Sequence, residues 1–429
     1  MLAARSSGKR LDRSCARADV HSTIPGASGT NRAGMKNPLK LRLVDAYLVE
    51  GFSAMAAMLF LYGVYFWTQT RFGYSGAENL LLGSFQGLGY VLGARYGGRI
   101  SDRLGYASML RLCLAGTSLI LAAGWIPTWH WTPFVVLPLF ALLTGPIWPS
   151  LEASVLHAPG RLSTPKRLGL YNLVWSWSGA LGLFLGGPLF ALRPEAVLWV
   201  PSGILLALLG WSTWRLHGGQ VEGSSAMEIP HLSDSVPRTT KYRFMLVGWW
   251  ANAASYFLQA GLNALLPFLA LRLAISPAAG IELASSLLFA RAVSFFVFWK
   301  WEGWHYREWS NVLVCVALPL ALAVVFWGPS VPVVLAGLLS LGFVAGLAYS
   351  MSIFYTLDYG ETKGEHGGLH ESVLGLGMLA GPLVGSVAAY AHGDATAAQA
   401  WLVGLGALLS IGGYVLVRGF GRRAPAPHS

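Results

Sequence analysis

The segment LLFARAVSFFVFWK places Arg291 nine residues before Lys300 with no charge between them. As a helix that is about 14 Å of apolar wall. A guanidinium held so deep needs either a carboxylate partner or an anionic ligand. Two carboxylates stand in similar surroundings, Glu50 in YLVEGFSAMA and Glu152 in WPSLEASV. Acids so placed are the side chains that carry protons through apolar interiors, although Glu152 lies close enough to a segment end to be interfacial. His370 and Glu371 in EHGGLHES pair an acid with the one side chain that ordinarily titrates near neutrality. His366 and His370 are four apart, a metal-ligand spacing, but without further ligands no metal site is expected.

Amides and aromatics complete the list. Asn252, Tyr256, Gln259 and Asn263 follow a helical spacing. At 100° per residue, Asn252, Gln259 and Asn263 fall within about 20° of one line. Such a stripe is costly against lipid, so it reads as a cavity wall or as interhelical hydrogen bonding. Gln86, Tyr90, Trp148, Asn172 and Trp175 could extend that wall from other segments.

The elements that must position these groups are apolar. The chain has 429 residues, 54% hydrophobic and 11% charged, with a mean hydropathy of +0.53. Soluble domains carry roughly a quarter charged residues, so the deficit implies a lipid-facing surface. Twelve stretches are long enough for helices spanning a bilayer, near 43–67, 76–96, 106–127, 132–157, 169–192, 194–216, 242–272, 277–300, 308–328, 331–358, 367–391 and 396–418. Residues 1–40 read as a basic disordered tail, 41–216 and 242–420 as six-span halves, 217–241 as a polar central loop, and 421–429 as a tail.

Charge sets an orientation. With the N-terminus inside, the inner connections and C-terminal end hold sixteen Lys and Arg, and the outer ones only Arg71, Arg193 and Arg272. Positive loops stay cytoplasmic, so both termini are expected there. The net charge of +11 is then a topology signal and not a nucleic-acid footprint. Cys15, Cys113 and Cys315 form no paired motif. There is no phosphate-binding Gly-Lys loop and no nucleophile–base arrangement, so neither ATP-driven transport nor catalysis is indicated. Faint repetition links spans six apart: LGGPLF with LAGPLVG, and TGPIWPS with AGLAYSMS, the last two each carrying an aromatic three residues after a glycine.

One charged cluster interrupts the apolar pattern. GGRISDRLGY, between spans two and three, carries Gly98, Asp102, Arg103 and Gly105. This spacing resembles the signature loop of the major facilitator superfamily. The resemblance implies an all-α integral membrane fold, two pseudo-symmetric six-helix bundles, and a latch whose acid faces the start of span eleven. A topology-setting turn is the simpler reading of the same residues. In span eleven, Gly368, Gly377, Gly381, Pro382 and Gly385 resemble the glycine motif of that family's antiporters, normally found in span five. Close helix packing accounts for them equally.

The resemblance implies a secondary active transporter of a small solute, working by alternating access, with protons favoured over sodium as the coupling ion and no cofactor. The chain is expected to act as a monomer in a cell membrane, bacterial by its compact loops. Protonation of His366 and His370 would strengthen attraction to Asp102. A membrane receptor or scaffold that kept the fold is the other reading, and an embedded transferase using His370 and Glu371 a third.

Overall fold

The structure is a computed structural model that describes residues 43–125, 129–157, 162, 164–215, 235–360 and 364–420. Among the described residues it is helical throughout, without strands. The helices are α1 (Leu43–Phe72), α2 (Gly76–Leu104), α3 (Tyr106–Trp125), α4 (Pro133–Thr144), α5 (Ile147–His157), α6 (Thr164–Leu192), α7 (Ala196–Arg215), α8 (Arg238–Arg272), α9 (Pro277–Lys300), α10 (Glu308–Trp327), α11 (Val331–Tyr359), α12 (Gly364–His392) and α13 (Ala395–Phe420). Among the described residues, eleven segments are long and apolar enough to cross a bilayer, with α4 running into α5 as one of them. The twelfth expected span is α2, 29 residues long but diluted by glycines and by charges at its ends.

Two expectations need correction. Span four is two helices and not one, because Gly145 and Pro146 interrupt it. Proline lacks the N–H that would continue the ladder, and Gly145 lies against the α2 backbone at Gly93 and Ala94. The charged cluster is not a loop either. Residues 97–104 continue α2, which Gly105 ends at φ 81°, its N–H donating to Ser101 O at 2.8 Å. Only glycine takes that backbone conformation without strain. Asp102 therefore sits in the last turn of α2, and its side chain lies outside the described residues. The N-terminal tail, most of the central loop and residues 421–429 lie outside them too. Arg238–Lys241, read as the end of that loop, form the first turn of α8.

Packing is set by small residues at crossings. A Cβ on Gly377 would meet Ala253 O at 2.3 Å, and one on Gly381 would meet Phe257 O at 2.0 Å, so α12 lies backbone to backbone on α8. The related pair is α6 on α1, with Gly182 against Met55 O at 2.5 Å. Gly385 faces Leu80 of α2, while the side-chain surroundings of Gly368 lie outside the described residues. The glycine strip of span eleven is thus a packing surface. Gly381→Val should lower the thermal midpoint of the purified protein, since overpacking costs about 1–3 kcal/mol. Gly404→Ala, with nothing within 4 Å, should leave it unchanged.

The outer surface is apolar along the spans, with Leu206 58%, Val387 62% and Leu408 66% exposed. Those side chains meet lipid in a membrane. Charged pairs gather at one end of the bundle: Arg215 with Asp45 at 3.3 Å, Arg243 with Glu308 at 3.1 Å and buried Lys241 with Asp358 at 3.2 Å. This end, with Arg95, Arg99 and Arg103 of α2, is the arginine-rich end.

Candidate functional site

Small residues bring the helices close, and larger polar ones farther along hold them apart around a cavity of about 120 Å³. Helices from both ends of the chain line it: α1, α2, α4, α5, α6, α8, α9, α11 and α12. Two repeats noted in the sequence acquire a shared meaning here. Gly145 lets α4 and α5 approach α2, and Gly346 lets α11 approach Ser294 and Arg291 of α9. One turn beyond each glycine, Trp148 and Tyr349 line the cavity.

Arg291 is 5% exposed and borders this space from α9. Its guanidinium donates to Gln259 Oε1 of α8. Gln259 is oriented for that by its own helix, since its Nε2 donates to Ser255 Oγ at 2.7 Å and Ser255 O at 3.1 Å. The cation also lies 6.0 Å from the Trp175 ring centroid and 5.8 Å from that of Tyr256, distances at which aromatic faces attract cations. Arg291 Nε has no hydrogen-bond partner. Among the described residues no carboxylate forms a salt bridge with it. Of the two partners the sequence allowed, a structural ion pair is not the one made.

The carboxylates lie on other helices around the same space. Glu50 is fully buried in α1, and neither oxygen has a hydrogen-bond partner. The Tyr171 hydroxyl of α6 lies beside the Glu50 carboxyl while donating to Trp148 O at 3.3 Å, and Glu152 of α5 is an electrostatic neighbour. Glu371 of α12 accepts a hydrogen bond from the Tyr90 hydroxyl of α2 at 2.6 Å. It also lies 3.5 Å from Nδ1 of His370. By rise per residue, Glu50, Glu152 and Glu371 are about 8–11 Å from the arginine-rich ends of their helices, and Arg291 about 14 Å. These depths differ by at most about 6 Å, so the four groups stand at similar levels on different helices. Gln86, which accepts from the Tyr65 hydroxyl at 2.7 Å, and Asn263 border it farther from that end.

Eleven sequence candidates thus meet around one space: Glu50, Gln86, Tyr90, Trp148, Glu152, Trp175, Tyr256, Gln259, Asn263, Arg291 and Glu371. Three do not border it. Asn172 instead accepts from Trp175 Nε1 at 3.3 Å and orients that ring. Asn252 is fully buried with both amide atoms unpartnered. It lies seven residues, about 10 Å, along α8 from Gln259, so the stripe outruns the cavity. His370 turns to Ser352 Oγ of α11 at 2.6 Å. The side chains of His366 and Asp102 lie outside the described residues, and with them the contact expected between latch and span eleven. Arg103 is exposed.

Sequence reasoning missed Tyr62, Tyr65, Tyr171, Tyr349, Met58 and Met378, which also line the site. A signal existed for some of them. Tyr65 falls within about 60° of Glu50 on a helical wheel, and Tyr171 is one turn before Trp175. Tyr349 stands in the repeat AGLAYSMS.

The profile of the Major Facilitator Superfamily matches residues 46–382. Solved structures share the fold. The human organic anion transporter MFSD10 (TETRAN) is 19% identical, over 89% of this chain and 100% of that one, with a TM-score of 0.60. The nucleoside transporter NupG is 13% identical over 89% and 99%, with a TM-score of 0.67. A bacterial homologue of the human lysosomal transporter Spinster, inward-facing and unoccupied, is 14% identical over 90% and 98%, with a TM-score of 0.64. No curated protein sequence matches this one.

Proposed function

This chain belongs to the major facilitator superfamily, and we propose on that premise that the cavity between its helices is the solute site, with Arg291 as the principal contact. It is a multi-pass membrane protein and a secondary active transporter of a small solute, working by alternating access, not an enzyme. The observation that carries the reading of the site is Arg291 itself. A guanidinium nearly out of water, flanked by Trp175 and Tyr256 and lacking a carboxylate partner among the described residues, is incomplete without an anionic group. Gln259 fixes its direction, and Asn263 offers an unpartnered carbonyl oxygen on the same cavity.

Glu50 carries the coupling proton in this reading. A fully buried carboxyl group without a hydrogen bond is stable only in neutral form or beside a transient cation, and proton exchange supplies both states. The arginine-rich end faces the cytoplasm, following the loop charges, in the cell membrane of a bacterium. The chain works as a monomer. Latch residues Gly98, Asp102, Arg103 and Gly105 hold the cytoplasmic end of the halves during the transport cycle, with His370 and Glu371 at the start of α12.

The test is transport by purified protein in proteoliposomes. Compounds that raise its thermal midpoint are assayed for counterflow, then for accumulation under an imposed proton gradient. Counterflow of a stabilising compound, accelerated by a pH gradient, supports the reading. Binding without flux would point to a receptor instead.

A further inference from the structure

Resting on the cavity as the solute site, we propose that the solute is amphoteric: its anionic group meets Arg291, and its cationic group meets Glu371 and Glu152 across the cavity. The first pole is incomplete as it stands, since Arg291 keeps an unpartnered Nε and pairs with no carboxylate among the described residues. The second pole is a built one. Glu371 is 9% exposed, accepts Tyr90 O–H at 2.6 Å, and has His370 Nδ1 at 3.5 Å. A carboxylate offers about four lone-pair sites, so acceptor capacity remains on the side that borders the cavity. Glu152 is its electrostatic neighbour.

The balance of charge favours two poles over one. Three carboxyl groups and one guanidinium border the space, with His370 just behind. A purely anionic solute would satisfy Arg291 but leave the Glu371 pole unmatched and bring a second anion near that carboxylate, where like charges repel. A purely cationic solute would leave Arg291 unmatched. Tyr256 has both Arg291 and Glu371 as charged neighbours, and all three border the same space, so one small molecule there can meet both poles. Tyr349 and Trp175, 5.9 Å apart between ring centroids, offer faces to its body.

The experiment ranks binding of charge-deleted probes by thermal shift of the purified protein. One set is phenylalanine, 3-phenylpropionate and 2-phenylethylamine. The other is a phenylalanine dipeptide with its N-acetylated and C-amidated forms, which separates the charges further. Each is tested up to about 10 mM, above the usual KM range. At least one zwitterion should bind about 10- to 100-fold more tightly than both of its analogues. Glu371→Gln should erase its advantage over the anion, and Arg291→Ala its advantage over the amine. If Glu371→Gln does not fold, the wild-type ranking decides alone. Anions that bind as well as zwitterions, or zwitterions that never bind, overturn the proposal. If anion binding still depends on Arg291, the cavity reading survives that result. Binding that persists in full in Arg291→Ala brings down the cavity reading itself.

Discussion

Arg291→Ala should reduce counterflow by about 100-fold or more while leaving the thermal midpoint unchanged or higher. The two halves of that expectation have one cause. Truncating one side of a buried charge-assisted contact costs a ligand about 2–5 kcal/mol, which is the loss read in transport. Stability moves the other way. Arg291 has no described carboxylate to orphan, so its removal leaves no uncompensated acid and takes a buried charge out of the fold. Gln259 keeps both of its Nε2 bonds to Ser255, and its Oε1, which loses the Arg291 donor, borders the cavity where water can replace it. Arg291→Lys should restore only part of the activity, because an ammonium keeps the charge but not the planar fork that lies between two rings. If Arg291→Ala instead unfolds the protein and Arg291→Lys rescues both folding and full transport, the arginine is structural.

Glu50→Gln should abolish proton-driven accumulation while counterflow stays within about threefold of wild type. A pH gradient of about one unit can sustain at most about tenfold accumulation per proton, so the variant's internal-to-external ratio should fall to about one. The amide is nearly the same shape as the acid but cannot exchange a proton. The isosteric amide keeps the packing of the buried side chain, so an unchanged thermal midpoint would separate loss of coupling from loss of fold. Retained accumulation would move the coupling role to Glu152 or Glu371.

Much of this was legible in the sequence because the bilayer writes a coarse code. Spans must be apolar and about 20 residues long, so span eight was placed at 277–300, the bounds of α9. Deep ionisable residues such as Arg291 and Glu50 have nowhere to go but inward. What stayed hidden was local and three-dimensional. The break at Gly145 and Pro146 has a readable cause in the proline's missing N–H, but how near α2 comes there is a matter of packing that no spacing rule reports. Asn252 shares a helical face with Gln259, yet only the length of the cavity decides that one borders it and the other does not. His370 is one residue from Glu371 but points to Ser352, since adjacent residues on a helix face about 100° apart. Tyrosines were overlooked because they suit interfaces and cores as readily as binding sites.

The central claim is that scarce polar side chains from both parts of the chain surround one passage that water enters. Met58 of α1 and Ala260 of α8 both line it, so Met58→Cys and Ala260→Cys test it directly by labelling with a hydrophilic, membrane-impermeant thiol reagent in proteoliposomes. Both should react, and a stabilising solute should protect both, while Leu206→Cys and Leu408→Cys on the lipid-facing surface should not react. Cavity cysteines that stay unreactive from either side, or that react no faster than the lipid-facing pair, would contradict it.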